Sequence, residues 1–105
     1  AAAFNLLDLS GRTELSLFYN NLLGYSLIQI DSLDKALFFL RRTLQKEPKN
    51  EYALFYMGLA YEKKKEYVEA LHFFNEASKA GISEKEARFR IFDTTGKLVD
   101  ELIVL

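Results

Sequence analysis

Apolar residues recur every three or four positions along most of this chain, which is the periodicity of helices that bury one face. Between residues 17 and 30 the apolar positions wrap more than half of a helical circumference, as in a helix that packs on two sides. Three further stretches each carry one apolar stripe: 33–46, 51–64 and 67–79. The pattern therefore predicts four helices joined by short turns.

Local signals mark where these helices begin and end. Pro48 predicts the end of the second helix, because proline cannot donate to the helical ladder and disfavours helical geometry in the residue before it. Asn50 is a suitable N-cap for the third helix. Gly81 stands where the fourth helix would end in a left-handed residue. Ser83 followed by Glu86 forms a capping box, which predicts a fifth helix.

Small residues recur at an interval of 34 positions. Gly24 and Gly58 are 34 residues apart, and each is followed 12 residues later by an alanine, Ala36 or Ala70. Such a recurrence is the mark of helical hairpins that pack closely where the facing side chains are small. We expect each glycine to let two helices of a hairpin approach, with Leu40 and Phe74 filling the gap to the next hairpin.

The two ends of the chain fit the repeat less well. Residues 1–11 align with the second helix of each later hairpin, which predicts that the chain begins halfway through a repeat. In residues 85–105, Ala87, Ile91, Leu98, Leu102 and Leu105 recur near a heptad spacing and indicate a helix. Residues 93–96, Asp-Thr-Thr-Gly, are however a turn signal, and residues 88–91 alternate like a strand. We favour a helix, bent or broken at residues 94–96, over a terminal β-hairpin.

These residues resemble the tetratricopeptide repeat. Residues 51–84 match its pattern with Gly58, Tyr61, Ala70, Phe74 and Ala77. Residues 17–50 match it with Leu23, Gly24, Ala36 and Pro48, whereas the third unit has Phe92 at the glycine position. The resemblance implies an all-α superhelix of stacked antiparallel hairpins. We predict a single domain over 1–105, with repeats at 17–50 and 51–84 and a degenerate repeat or capping segment at 85–105.

Composition narrows the possible partners. With 14 Lys+Arg against 15 Asp+Glu, the net charge is −1, and the short run at 63–65 is the only basic cluster. We therefore expect no binding to nucleic acid, which requires a basic face. No apolar run approaches the roughly 20 residues of a membrane span. The chain has no cysteine, which fits a reducing compartment or a periplasm, and we favour the cytoplasm.

In proteins with this repeat, the first helices line a concave surface that binds other proteins. Carried over to this chain, the resemblance implies a groove rich in aromatic side chains. The expected partner-binding residues are Phe18, Asn21, Leu22, Tyr25, Tyr52, Phe55, Tyr56, Leu59 and Arg90. Repeats that bind a terminal carboxylate use several lysines and asparagines here, and of the corresponding residues only Arg90 is chemically suitable. We expect a protein or peptide partner with a hydrophobic or amphipathic segment.

The sequence does not predict an enzyme. His72 is the only histidine and lies on the outer side of the fourth predicted helix, and Glu62, Glu66 and Glu69 have the spacing of ordinary helix ion pairs. Since no phosphate-binding loop or set of metal ligands is present, we expect neither cofactor nor metal. The alternative to partner binding is a self-assembly module, a homo-oligomer whose groove is filled by the chain's own tail or by a second copy.

Overall fold

The computed structural model describes residues 13–104, which form five α-helices and no strand. These are α1 (Thr13–Gln29), α2 (Leu33–Lys46), α3 (Glu51–Lys63), α4 (Tyr67–Ala80) and α5 (Glu84–Val104). Each helix packs against the next, and α1 also packs against α3. The predicted all-α stack of hairpins is confirmed over this range. The predicted partial repeat at residues 1–11 lies outside the described residues.

The two hairpins repeat each other in their backbone geometry. Asp31 and Lys65, again 34 residues apart, both take a left-handed conformation, with φ of 64° and 63°. In each turn the next residue donates its N–H to the carbonyl five positions earlier, at 2.8 Å for Ser32 and 2.9 Å for Glu66. The interval that the glycines show in the sequence is therefore also the interval of the chain reversals.

The predicted helix boundaries at residues 50 and 81 are confirmed. The Asn50 side chain accepts a hydrogen bond of 2.9 Å from the backbone N–H of Ala53, which satisfies a free donor in the first turn of α3. Gly81 follows α4 with φ of 109°, a conformation that glycine adopts without a steric penalty. The fifth helix begins at Glu84, directly after Ser83.

Close approach of the helices depends on the two repeated glycines. A Cβ atom on Gly24 would lie 2.6 Å from the Leu40 side chain, and one on Gly58 would lie 2.5 Å from the Phe74 ring. Leu40 and Phe74 are fully buried. The predicted role of Gly24 and Gly58 is thus confirmed, but Leu40 and Phe74 fill the space inside their own hairpins. The further expectation, that they also plug the gap to the next hairpin, stays a prediction; the buried clusters that contain them do reach the following helix.

The core consists of two adjacent clusters of buried side chains. The first joins α1, α2 and α3 through Ile28, Ala36, Leu37, Leu40, Met57 and Ala60. The second joins α3 and α4 through Leu54, Phe55, Ala70, Phe74 and Ala77, and Ile91 of α5 packs against it. Tyr56 and Leu59 contact both clusters, so they couple the two hairpins.

Helix α5 runs without a break through the predicted turn at residues 93–96. The buried Thr94 hydroxyl donates a hydrogen bond of 2.6 Å to the Glu62 carboxylate of α3. The Thr95 hydroxyl donates at 2.7 Å to the carbonyl of Ile91, one turn earlier. Both threonines are therefore held in a helical segment. The prediction of a C-terminal capping helix is confirmed, and the terminal hairpin was the wrong alternative.

Candidate functional site

A groove lined by tyrosines lies between α1, α3 and the start of α5. It consists of two adjoining cavities that share Tyr52 and Tyr56. The larger, about 370 Å³, is lined by Tyr25, Tyr52, Phe55, Tyr56, Leu59, Ile82, Ser83, Glu86 and Arg90. The smaller, about 260 Å³, is lined by Phe18, Asn21, Leu22, Tyr52 and Tyr56. We call these two cavities together the tyrosine groove. All nine residues predicted for partner binding line it.

The groove follows from helical spacing on two neighbouring helices. On α1, residues 18, 22 and 25 recur at steps of four and three, so their side chains share one face. On α3, residues 52, 56 and 59 recur in the same way. Because α1 packs beside α3, the two faces join into one surface.

Tyr56 stands at the centre of the groove. Its ring centroid is 5.0 Å from that of Tyr25 and 6.4 Å from that of Tyr52. Partial burial raises the pKa of the Tyr56 phenol above its usual value, and the neighbouring Tyr25 and Tyr52 raise it further. The Tyr56 phenol therefore stays neutral well above neutral pH.

The predicted groove residues divide into an exposed set and a buried set. Phe18, Leu22 and Tyr52 are exposed, with 60%, 48% and 53% of their surface accessible. Phe55 is only 6% exposed, and its ring packs 5.4 Å from that of Phe74 in the core. Phe55 thus forms the floor of the larger cavity, whereas the exposed residues offer contact area to a partner.

Asn21 positions α1 against α3. It is buried, and its side-chain amide donates a hydrogen bond of 3.0 Å to the Asn50 side chain. The same Asn50 oxygen accepts the backbone N–H of Ala53, so the amide orientation is fixed by the helix cap. The Asn21 Oδ1 atom has no hydrogen-bond partner among the described residues, and Asn21 lines the smaller cavity.

Arg90, the one cation that lines the groove, is paired with a carboxylate below it. Its Nη1 atom lies 3.4 Å from Oε1 of Glu62, which is only 9% exposed. Lys97 also approaches Glu62, at 3.6 Å, and pairs with Asp93 at 3.3 Å. Burial alone would lower the pKa of Lys97, but its bonds to Asp93 and Glu62 outweigh this effect and raise the pKa. Arg90 therefore brings little net positive charge to the groove.

Glu62 is the residue of this region that sequence reasoning missed. The sequence indicated an ordinary ion pair within its own helix for it, whereas Glu62 is buried and contacts Thr94, Arg90 and Lys97 of α5. The available signal was its position one turn after Gly58, on a helix otherwise rich in buried apolar residues. Its partners, 28 to 35 positions further along the chain, could not be identified from spacing alone.

Residues 13–104 contain neither a cluster of potential metal ligands nor a helix that could span a membrane. Within residues 13–104, no three His, Cys, Asp or Glu side chains come together as metal ligands would. None of the helices in the same range has the length and apolar character needed to cross a bilayer. The basic run at 63–65 is partly engaged within the fold, since Lys64 pairs with Asp34 at 2.8 Å and Lys63 donates to the carbonyl of Ile28.

Two comparisons place the chain among known proteins. A family model described as anaphase-promoting complex, cyclosome, subunit 3 matches residues 29–90, more than half of the chain. An uncharacterized protein, ycf37, of Guillardia theta is 32% identical over 97 residues, which cover 92% of this chain and 54% of that protein. The chain thus spans about half the length of this relative.

Proposed function

The chain belongs to the tetratricopeptide-like repeat family, and on this basis we propose that it binds a hydrophobic or amphipathic segment of another protein in the tyrosine groove. The family suggests a protein–protein interaction scaffold. The groove supplies the more specific part of the proposal, namely where the partner binds and what its chemistry is.

The observation that carries this proposal is the exposure of large rings on one concave surface. Monomeric proteins expose few contiguous apolar patches, and those that persist often serve binding. Tyr and Phe give a large, rigid contact area for a small loss of conformational entropy. In the groove these rings form a row from Phe18 through Tyr52 and Tyr56 to Tyr25.

The electrostatics of the groove favour a neutral contact segment over an acidic one. A ligand carboxylate would need a free cation, and Arg90 is already paired with Glu62. Glu86 adds a negative charge to the larger cavity. An apolar side chain would fill the smaller cavity, where Phe18, Leu22 and Tyr52 are exposed.

The tail does not line the groove in the described residues. Helix α5 contributes only Glu86 and Arg90, from its first two turns, to the cavity walls. Further along, Leu102 and Ile103 remain exposed, at 63% and 74%. This arrangement favours a groove open to a partner over the alternative of a groove filled by the chain's own tail.

Binding rather than catalysis is the proposed activity. Repeats of this family are generally non-enzymatic. His72 lies exposed on α4 and contacts the Phe73 ring edge to face, away from the groove walls. We therefore assign no catalytic role to it.

The experiment is a selection of peptides from a displayed random library on the intact chain, followed by affinity measurement. Tyr52→Glu and Leu22→Glu place charges in the groove at exposed positions, so the fold should be retained. Phe38→Glu is the matched control, since Phe38 is an equally exposed aromatic residue on α2 outside the groove. Selected peptides should be apolar or amphipathic and should lose affinity at least about tenfold with the groove variants.

Two results would refute the proposed site. One is that selected peptides bind the parent, Tyr52→Glu and Phe38→Glu with the same affinity. The other is that the selected peptides are consistently acidic and bind less well when Arg90 is replaced. Circular dichroism of each variant should match the parent, so that loss of affinity is not loss of fold.

A further inference from the structure

The two charged residues that line the tyrosine groove differ in how far the fold neutralises them. Glu86 and Arg90 lie one turn apart at the start of α5, and both line the larger cavity. Of the described residues that line the two cavities, no other carries a charge. The charge that a bound segment meets therefore depends on these two side chains.

Arg90 is neutralised by a buried carboxylate beneath the groove. Its Nη1 atom lies 3.4 Å from Oε1 of Glu62. The second oxygen of Glu62 accepts the Thr94 hydroxyl at 2.6 Å and lies 3.6 Å from the Lys97 ammonium. Both oxygens of Glu62 thus have partners on α5. Because a buried charge without its partner is costly, Glu62 keeps the Arg90 guanidinium engaged.

Glu86 has no comparable partner. The ion pairs of residues 13–104 do not include it, whereas its neighbour Glu84 pairs with Arg88 one turn further along. The Glu86 side chain is exposed and lines the larger cavity together with Tyr25 and Tyr56. Glu86 is therefore the charge that the groove leaves free for a ligand.

The charges on this side of the groove sum to a negative value. Three carboxylates stand against two cations: Glu62, Glu86 and Asp93 against Arg90 and Lys97. All of these residues except Glu86 form one connected set of ion pairs, so the negative charge in excess belongs to Glu86. A cation is the ligand group whose charge complements it.

The aromatic rings of the same cavity also suit a cation. Tyr25, Tyr52 and Tyr56 line it, and the ring centroid of Tyr56 lies 5.0 Å from that of Tyr25 and 6.4 Å from that of Tyr52. The face of a tyrosine ring attracts a cation within about 6 Å, more strongly where water is excluded. A lysine or arginine side chain can pack its aliphatic stem on such rings while its charged head keeps a polar contact.

We propose that the larger cavity takes a lysine or arginine side chain of the bound segment, with its stem on the tyrosine rings and its cationic head at Glu86. Glu62 then determines specificity without touching the partner. By holding Arg90, it keeps that guanidinium from repelling the ligand cation and from attracting an acidic segment. The proposal rests on the proposed function, because it specifies the charge of the segment that the groove binds.

A double-mutant cycle between peptide and protein tests the proposal. The peptides are those selected on the intact chain, with each lysine replaced in turn by norleucine and each arginine by citrulline, which remove the charge and keep the stem. Glu86→Gln removes the charge on the protein, and Glu84→Gln is the matched control, an exposed carboxylate of the same helix that does not line the groove. The parent and Glu84→Gln should bind the charged peptide about fivefold more tightly than the neutral one, and Glu86→Gln should bind both alike.

A second measurement isolates the role of Glu62. Glu62→Gln should free Arg90, so this variant should bind a peptide with glutamate in place of the basic residue about fivefold more tightly than the parent does. Adding Arg90→Gln should remove this gain. Circular dichroism shows whether Glu62→Gln keeps the fold, and if it does not, the cycle with Glu86 decides alone.

The failure of this proposal can be told apart from the failure of the proposed function. Selected peptides without a basic residue, equal affinities of the parent for charged and neutral peptides, or an unchanged preference in Glu86→Gln would overturn the proposal while the groove remains the binding surface. No gain for the acidic peptide in a folded Glu62→Gln variant would overturn the role of Glu62. Peptides whose affinity is unchanged in Tyr52→Glu and Leu22→Glu would refute the proposed function, and this proposal with it.

Discussion

Replacing Gly58 with alanine should destabilise the protein, although alanine is the better helix former. The reason is local geometry. The added Cβ would lie 2.5 Å from two atoms of the Phe74 ring, Cδ1 and Cε1, whereas carbon atoms at van der Waals contact are about 3.5–4.0 Å apart. One atom on α3 therefore forces either the ring or the whole of α4 to move by about 1 Å.

The magnitude follows from how firmly Phe74 is held. Its side chain is fully buried and packs against Phe55, so the ring has no free space to enter. Overpacking of such a site costs about 1–3 kcal/mol, and the helix preference of alanine returns about 1 kcal/mol. The difference is a net loss of about 0–2 kcal/mol, and because the ring has no free space to enter we expect Gly58→Ala to lie near the upper end of this range. Gly58→Phe should lower the free energy of unfolding further than Gly58→Ala does, by several kcal/mol, on the order of 3 kcal/mol or more.

The assay is urea unfolding followed by far-ultraviolet circular dichroism, at a concentration where sedimentation shows a monomer. Gly96→Ala is the matched control, because the same substitution in another helix meets nothing within 4 Å. It should raise the free energy of unfolding by about 1 kcal/mol through helix propensity alone. The two substitutions should therefore shift the urea midpoint in opposite directions.

A result in which both alanine variants are more stable than the parent would refute the reasoning. It would mean that Gly58 does not mediate a close helix–helix contact. A second check is Gly58→Ala combined with Phe74→Leu, which shortens the ring that the new methyl group meets. The double variant should lose less stability than the sum of the two single losses.

Three further predictions concern polar contacts. Thr94→Val should lower the free energy of unfolding by about 1–3 kcal/mol in a urea titration, because the buried Glu62 carboxylate loses the hydroxyl that donates to it at 2.6 Å. Thr94→Ser keeps a hydroxyl at this position and should largely retain the parent stability. Asn50→Ala should cost about 1–2 kcal/mol by the same measurement and Asn50→Asp much less, since Asp can still accept the Ala53 N–H. Because the pKa of Tyr56 is raised in the folded protein, the free energy of unfolding should fall as the pH rises above about 10. In thermal melts at alkaline pH, Tyr56→Phe should lose less stability over this range than the parent. The same loss of stability in both proteins would contradict this prediction.

Much of the fold could be predicted because it rests on residues with strong local meaning. The interval between Gly24 and Gly58 predicted close helix contacts, and the structure places a bulky buried side chain against each. Asn50 and Gly81 predicted helix boundaries that carry the expected cap geometry. These features depend on backbone conformation and side-chain size, both of which can be read at single positions.

What could not be predicted depends on partners distant in sequence. The turn signal at residues 93–96 is locally sound, but in the fold this segment is helical and Thr94 donates a hydrogen bond to Glu62, 32 positions away. For Glu62 the local sign of burial is only its position one turn after Gly58 on a helix rich in buried apolar residues. Phe55 lines the groove, but its near-complete burial was not predicted, since this burial depends on how Phe74 packs against it.

The central claim is that the tyrosine groove is the surface that receives a partner. It is tested most directly by recording the tyrosine ring resonances of the labelled protein while a selected peptide is added. The ring signals of Tyr25, Tyr52 and Tyr56 should shift together with one affinity, while those of Tyr61, which stacks on Phe73 outside the groove, should stay in place. Shifts confined to Tyr61, or binding without any change at the three groove tyrosines, would contradict the claim.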